Sequence, residues 1–243
     1  MNGNAKDRLI FALDVDDFNQ ARHWVETLKD NVGVFKVGKQ LFTRCGPDVV
    51  RMVVEQGADV FLDLKYHDIP NTVAKAAVEA ARLGVRIFNV HALGGSEMMR
   101  TAVTEVEAYC RQAGCRRPQM LAVTILTSSD QATLAEIGIE RPVDEMVVRL
   151  ARLAQAAGFD GVVASPREAA LIHAACGEEF AIVTPGVRPA FAAQDDQKRI
   201  MTPADAIAAG ATALVIGRPI SAAVDPLGAA GKILAEISAA LDT

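Results

Sequence analysis

Apolar residues along the chain gather into short runs, and a stretch with helical spacing follows nearly every one. The runs are LIFALD from Leu9, VFKVG from Val34, VFLDLK from Val60, IFNVH from Ile87, MLAVTIL from Met120, GVVAS from Gly161, AIVTPG from Ala181 and ALVIG from Ala213. Each is brief and mostly apolar, as expected of parallel strands covered on both faces. Between them, Asp17 to Leu28, Val73 to Leu83, Ser96 to Ala113, Val143 to Ala157 and Ala204 to Ala209 carry the clearest helical pattern. Gly57, Gly84, Gly114, Gly158 and Gly210 each stand shortly before the next strand, where a helix C-terminal glycine belongs.

Strands alternating with helices in this way predict an α/β fold, a (β/α)8 barrel in a single domain over residues 1–243. A doubly wound open sheet has the same periodicity. No Gly-x-Gly-x-x-Gly follows the first run, so nothing favours a dinucleotide-binding sheet.

Composition narrows the class further. The chain is 51% apolar and 23% charged, the balance of a globular protein. A formal net charge of −5 supplies no bulk cationic field for nucleic acid or an anionic membrane. An anionic ligand must therefore be met by a local cluster of cations. The N-terminus lacks the pattern of a secretory signal, and no apolar run approaches the ~18 residues of a membrane span. The four cysteines, Cys45, Cys110, Cys115 and Cys176, form no Cys-x-x-Cys pair and are read as reduced thiols of a cytoplasmic protein.

Polar residues break the apolar pattern at the C-terminal ends of the strands, the face where a barrel carries its active site. Asp14, Lys36, Lys39, Asp63, Lys65, Asn89, His91, Thr124, Thr127, Ser128, Ser165, Thr184, Arg188 and Arg218 all fall there. Solvation of strand ends accounts for any one of them. It accounts poorly for charges inside the second and third runs. Side chains alternate along a strand, so Asp63 and Lys65 face one way, with Leu62 and Leu64 opposite. Lys36 on the neighbouring strand can join them. A lysine flanked by carboxylates is held as ammonium, which suits a proton donor rather than a Schiff-base nucleophile.

A second cationic corner lies in PGVRP and IGRP, which supply Arg188, Gly217 and Arg218. Barrels often hold phosphate at the loops after strands seven and eight; glycine admits close backbone approach, and arginine offers a forked donor. The connection RPAFAAQDDQKRIMT has little apolar periodicity and predicts a lid at about 188–202, with Gln197 arriving as a polar contact on closure. A metal held by Asp63, His67 and Asp68 is disfavoured. Lys65 competes among those ligands, and the histidines form no His-x-x-x-His or Glu-x-x-His pair.

At this point the motifs resemble a known family. DLKYHDIPNT is similar to the signature of the orotidine 5′-phosphate decarboxylases. ALD ending at Asp14, FKVGKQLF, FNVHALGG, VTILTS, TPGVRP, DQKRIMTP and VIGRP extend the resemblance over almost the whole barrel. It implies a homodimeric (β/α)8 barrel that converts orotidine 5′-phosphate to UMP and CO₂, the last step of UMP biosynthesis, without metal or organic cofactor. It further implies a charged network of Lys36, Asp63, Lys65 and Asp68, in which Asp68 reaches the partner subunit's site and Thr72 contacts ligand there. Ribose contacts fall to Asp14 and Lys36, phosphate contacts to Arg188, Arg218 and Gly217, and a closing contact to Gln197. Thr127 matches a ligand position, and Ser128 is a pyrimidine contact by the same resemblance. Two rivals compete with this reading: a metal-dependent sugar-phosphate enzyme on the same barrel, and a catalytically silent phosphate sensor. Ile69 to Thr72 favours the decarboxylases over the first, and the full Lys-Asp-Lys-Asp set argues against the second.

Overall fold

The eight apolar runs form strands β1 (Leu9–Ala12), β2 (Val34–Gly38), β3 (Asp59–Tyr66), β4 (Ile87–His91), β5 (Gln119–Val123), β6 (Gly161–Val163), β7 (Ala181–Pro185) and β8 (Ala213–Ile216). In the computed structural model, which describes residues 4–191 and 201–242, they pair in parallel and in sequence order, and β8 closes on β1. The barrel is therefore closed, and the open-sheet alternative is excluded.

Strand parity builds two cores. Ile10, Val34, Phe61, Ile87, Leu121, Val183 and Val215 point inward and fill the barrel. Their neighbours Phe11, Phe35, Leu62 and Phe88 point outward and pack beneath the helices. Both sets are almost wholly removed from water, so both faces of the sheet contribute apolar burial at about 25 cal/mol per Å².

The helices follow their local signals. Asp17 caps Phe18–Leu28, its carboxylate accepting the Gln20 N–H at 2.9 Å. Pro70 starts Pro70–Arg82 three residues before the apolar period becomes visible at Val73, because proline suits the first helical position. The helix Gly95–Ala113 stops at Gly114, which has φ +62°, a conformation that costs glycine little.

At the N-terminal end of the barrel, ion pairs join strand starts. Arg117 Nη1 meets Asp160 Oδ2 at 2.7 Å, and that oxygen also accepts the Met120 N–H at 2.7 Å. Arg86 and Asp59 make a similar pair at 2.8 Å. These contacts lie away from the polar face and serve stability. Cys45, Cys110, Cys115 and Cys176 are free thiols. No helix among the described residues is long and apolar enough to cross a membrane.

Candidate active site

At the other end of the barrel, inward parity carries charge instead of hydrocarbon. Lys36 lies one inward step above Val34, and Asp63 one step above Phe61. Their ends form an alternating chain. Lys36 Nζ lies 3.2 Å from Asp14 Oδ1 and 3.6 Å from Asp63 Oδ2. Lys65 Nζ lies 2.5 Å from Asp63 Oδ1. Exposure falls inward along it: the Asp14 side chain is 65% exposed, Lys36 and Asp63 only 12% and 13%. A carboxylate this buried requires partners, and Asp63 has an ammonium on each oxygen.

The expected same-face pairing of Asp63 and Lys65 is present, but regular alternation is not what produces it. Between β3 and β4 the register jumps: Leu62 pairs with Phe88, and the next pair is Tyr66 with Val90. Asp63, Leu64 and Lys65 thus lie opposite the single residue Asn89. Lys65 has φ +52°, the one non-glycine residue with positive φ among those described. Asn89 is fully buried. Its Oδ1 accepts the Lys65 N–H at 2.8 Å, and its Nδ2 donates to Asp63 Oδ1 at 2.7 Å.

These groups open into a cavity of about 1170 Å³. Asp14, Lys36, Asp63, Lys65, Thr127, Ser128, Arg188, Gly217 and Arg218 all line it, as the sequence led us to expect. Its floor is the top of the inner core, with Phe61, Val123, Val163 and Val215. Leu126, Phe191 and Val224 add apolar surface near the opening, and Ser165, already visible as a polar strand-end residue, adds a hydroxyl; Phe191 and Val224 lie in no motif that sequence reading could have weighted. Gly217 has a packing reason to be glycine: a Cβ there would come within 3.2 Å of Ala12 Cβ on β1. The Arg188 N–H donates to the Met201 carbonyl at 3.1 Å, joining the two ends of the expected lid. Positions 192–200, including Gln197, lie outside the described residues.

Two expected residues do not enter this cavity. Asp68 and Thr72 are exposed, and Asp68 Oδ1 accepts the N–H of its own neighbour Ile69 at 2.6 Å. Nor does the rival metal set of Asp63, His67 and Asp68 assemble: among the described residues no three such side chains gather around one point, and Asp63 Oδ1 is occupied by Lys65. Burial, then the charges of His67, Lys39 and Lys65, push His91 down to about 4, so it adds no cation at neutral pH. Of the other polar strand-end residues, Thr124 is structural: β5 ends at Val123, and the Thr124 hydroxyl donates to the Val163 carbonyl at 3.3 Å. Thr184 is fully buried on the outward parity of β7.

A closed parallel barrel with a buried Lys-Asp-Lys chain and two arginines around one cavity defines a class: a barrel with an enzyme-like site suited to an anionic ligand. Residues 7–233 match the family described as Orotidine 5′-phosphate decarboxylase / HUMPS, and the chain belongs to it. Two relatives named orotidine 5′-phosphate decarboxylase are close to it in sequence. That of Syntrophotalea carbinolica is 64% identical over 98% of both chains. That of Geobacter sulfurreducens is 63% identical over 97% of this chain and 98% of its own. The crystal structure of the Lactobacillus acidophilus orotidine 5′-phosphate decarboxylase superposes with a TM-score of 0.83 at 41% identity, covering 94% of this chain and 98% of that one.

Proposed function

We propose that this chain is a carboxy-lyase that converts orotidine 5′-phosphate to UMP and CO₂, the last step of UMP biosynthesis. Membership of the family supports the activity. The observation that carries the chemistry is the 2.5 Å contact between Lys65 Nζ and Asp63 Oδ1 at the cavity floor.

The reaction needs two things of the protein. When the bond from C6 to the carboxylate breaks, CO₂ leaves and the electron pair stays on C6. An ammonium beside C6 stabilises that pair as it develops and then supplies the proton. Lys65 is that group, with Asp63 holding it; solvent later restores its proton. The nearby carboxylate also disfavours the substrate's own carboxylate. Arg188, Arg218 and the Gly217 backbone take the phosphate, and Asp14 and Lys36 the ribose. Thr127 and Ser128 face the pyrimidine, and Gln197 makes a contact of the closed state. Neither metal nor organic cofactor takes part.

The working unit is a homodimer in a cytoplasmic setting. Asp68 and Thr72 act in the partner's site, which is consistent with both pointing away from their own cavity. Ile69 between them is 66% exposed, a large apolar surface for a residue next to a site.

The direct test follows the fall in orotidylate absorbance on adding enzyme without metal. Lys65→Ala is expected to lose nearly all turnover and still bind UMP by calorimetry. Near-normal turnover in that variant would sink the assignment. Dialysis against EDTA is expected to leave the rate unchanged; loss of activity restored by Mg²⁺ would overturn the metal-free reading.

A further inference from the structure

Asn89 lies in FNVHALGG, where no role was assigned to it, and it alone faces the irregular stretch of β3. Three residues of β3 oppose it across the register jump, and its one side chain satisfies both ends of that stretch. The acceptor Oδ1 holds the Lys65 N–H while Lys65 sits at φ +52°. The donor Nδ2 holds the same Asp63 oxygen that receives the Lys65 ammonium. Backbone and carboxylate are thus fixed relative to one another through a fully buried amide. The group is neutral and has a donor at one end and an acceptor at the other, which is what this place requires.

We propose that Asn89 is a positioning residue that sets the direction of the Lys65 ammonium by holding its backbone and its carboxylate partner together. This rests on the reading of Lys65 and Asp63 as the reacting pair. It touches neither phosphate nor ribose in that reading, so its effect belongs to kcat rather than to KM.

Two variants test it beside the wild type. Asn89→Leu keeps the volume and removes both hydrogen bonds. Its kcat is expected to fall about a hundredfold, the scale of a misplacement of ~1 Å, with KM changed by less than about threefold. Asn89→Asp keeps the acceptor for the Lys65 N–H but sets a second carboxyl against Asp63. Two adjacent carboxylates share a proton as pH falls, and a protonated carboxyl can donate as the amide did. The ratio of Asn89→Asp kcat to wild-type kcat is therefore expected to rise from about pH 8 to about pH 5. Asp14, Lys36, Lys65 and His91 also face the pair, and taking the ratio at each pH cancels their titration.

A third measurement does not depend on turnover: competitive acetylation of amines, read by mass spectrometry. Loosening by Asn89→Leu is expected to speed labelling of Lys65 relative to Lys232. A flat kcat ratio with near-wild-type turnover in Asn89→Asp would overturn the proposal, as would unchanged Lys65 labelling in folded Asn89→Leu. If the wild type itself fails to decarboxylate orotidylate, the functional reading falls, and the labelling result alone decides for Asn89.

Discussion

At the scale of single residues, the proposed binding and reacting groups come from different strands of the barrel. Arg218 follows β8 and Lys65 lies at the end of β3, with β1 and β2 between them on the shorter way round the barrel. Arg218→Ala is expected to weaken UMP binding by roughly tenfold to a hundredfold, the value of a charge-assisted hydrogen bond. Uridine binding, measured beside it, should barely change; equal losses would count against a phosphate role. Glu168 yields a pH prediction. Burial pushes its carboxyl from the usual range up to about 7, and only the Ser165 N–H, at 3.0 Å, favours its charged form. Because the folded value lies above the unfolded one, the folded state binds more protons between the two. Stability should therefore fall as pH rises from about 4.5 through about 7, by on the order of 1–3 kcal/mol. Glu168→Gln keeps an acceptor for Ser165 and should flatten that slope in urea titrations at about pH 5 and about pH 8.

At the scale of elements, the strands were legible because alternation is a local property. VFKVG and IFNVH match β2 and β4 to the residue. The jump between β3 and β4 was not legible, because register depends on a second strand and leaves no mark within FLDLKYHD. Asn89 was visible as a polar strand-end residue, but its two hydrogen bonds depend on that jump. Helices with little amphipathic contrast also escaped. Ala169–Cys176 is nearly all apolar, and Pro226–Leu241 is rich in alanine and glycine, so neither shows a clear stripe. Packing between strands gives a further test at this scale. At Gly161 on β6, a Cβ would lie 2.2 Å from the Ala181 carbonyl oxygen of β7. That contact is backbone and cannot rotate away. Gly161→Ala is expected to cost about 1–3 kcal/mol, seen as a lower urea midpoint with the slope unchanged.

At the scale of the whole molecule, Asp14, Lys36, Asp63 and Lys65 come together within one chain, whereas Asp68, proposed to act in the partner's site, lies exposed outside its own cavity. One chain's sequence holds no spatial record of another, so the proposal that Asp68 crosses to a partner rests on family resemblance. Complementation tests it. Lys65→Ala and Asp68→Ala dimers are each expected to be nearly inactive. After mixing and subunit exchange, each mixed dimer regains one intact site, and activity should approach roughly a quarter of wild type. Persistent inactivity, with exchange shown by mass spectrometry, would place Asp68 in its own chain's site. The φ of +52° at Lys65 has a consequence for the stability of the whole fold. Any L-residue there works against folding by roughly 1–2 kcal/mol, and glycine alone escapes it. Lys65→Gly should therefore yield an inert protein that melts above Lys65→Ala. Against lysine itself the balance differs, because glycine would also strip the buried Asp63 of one of its two ammoniums, so the strained backbone at position 65 is held in place by the ion pair it delivers.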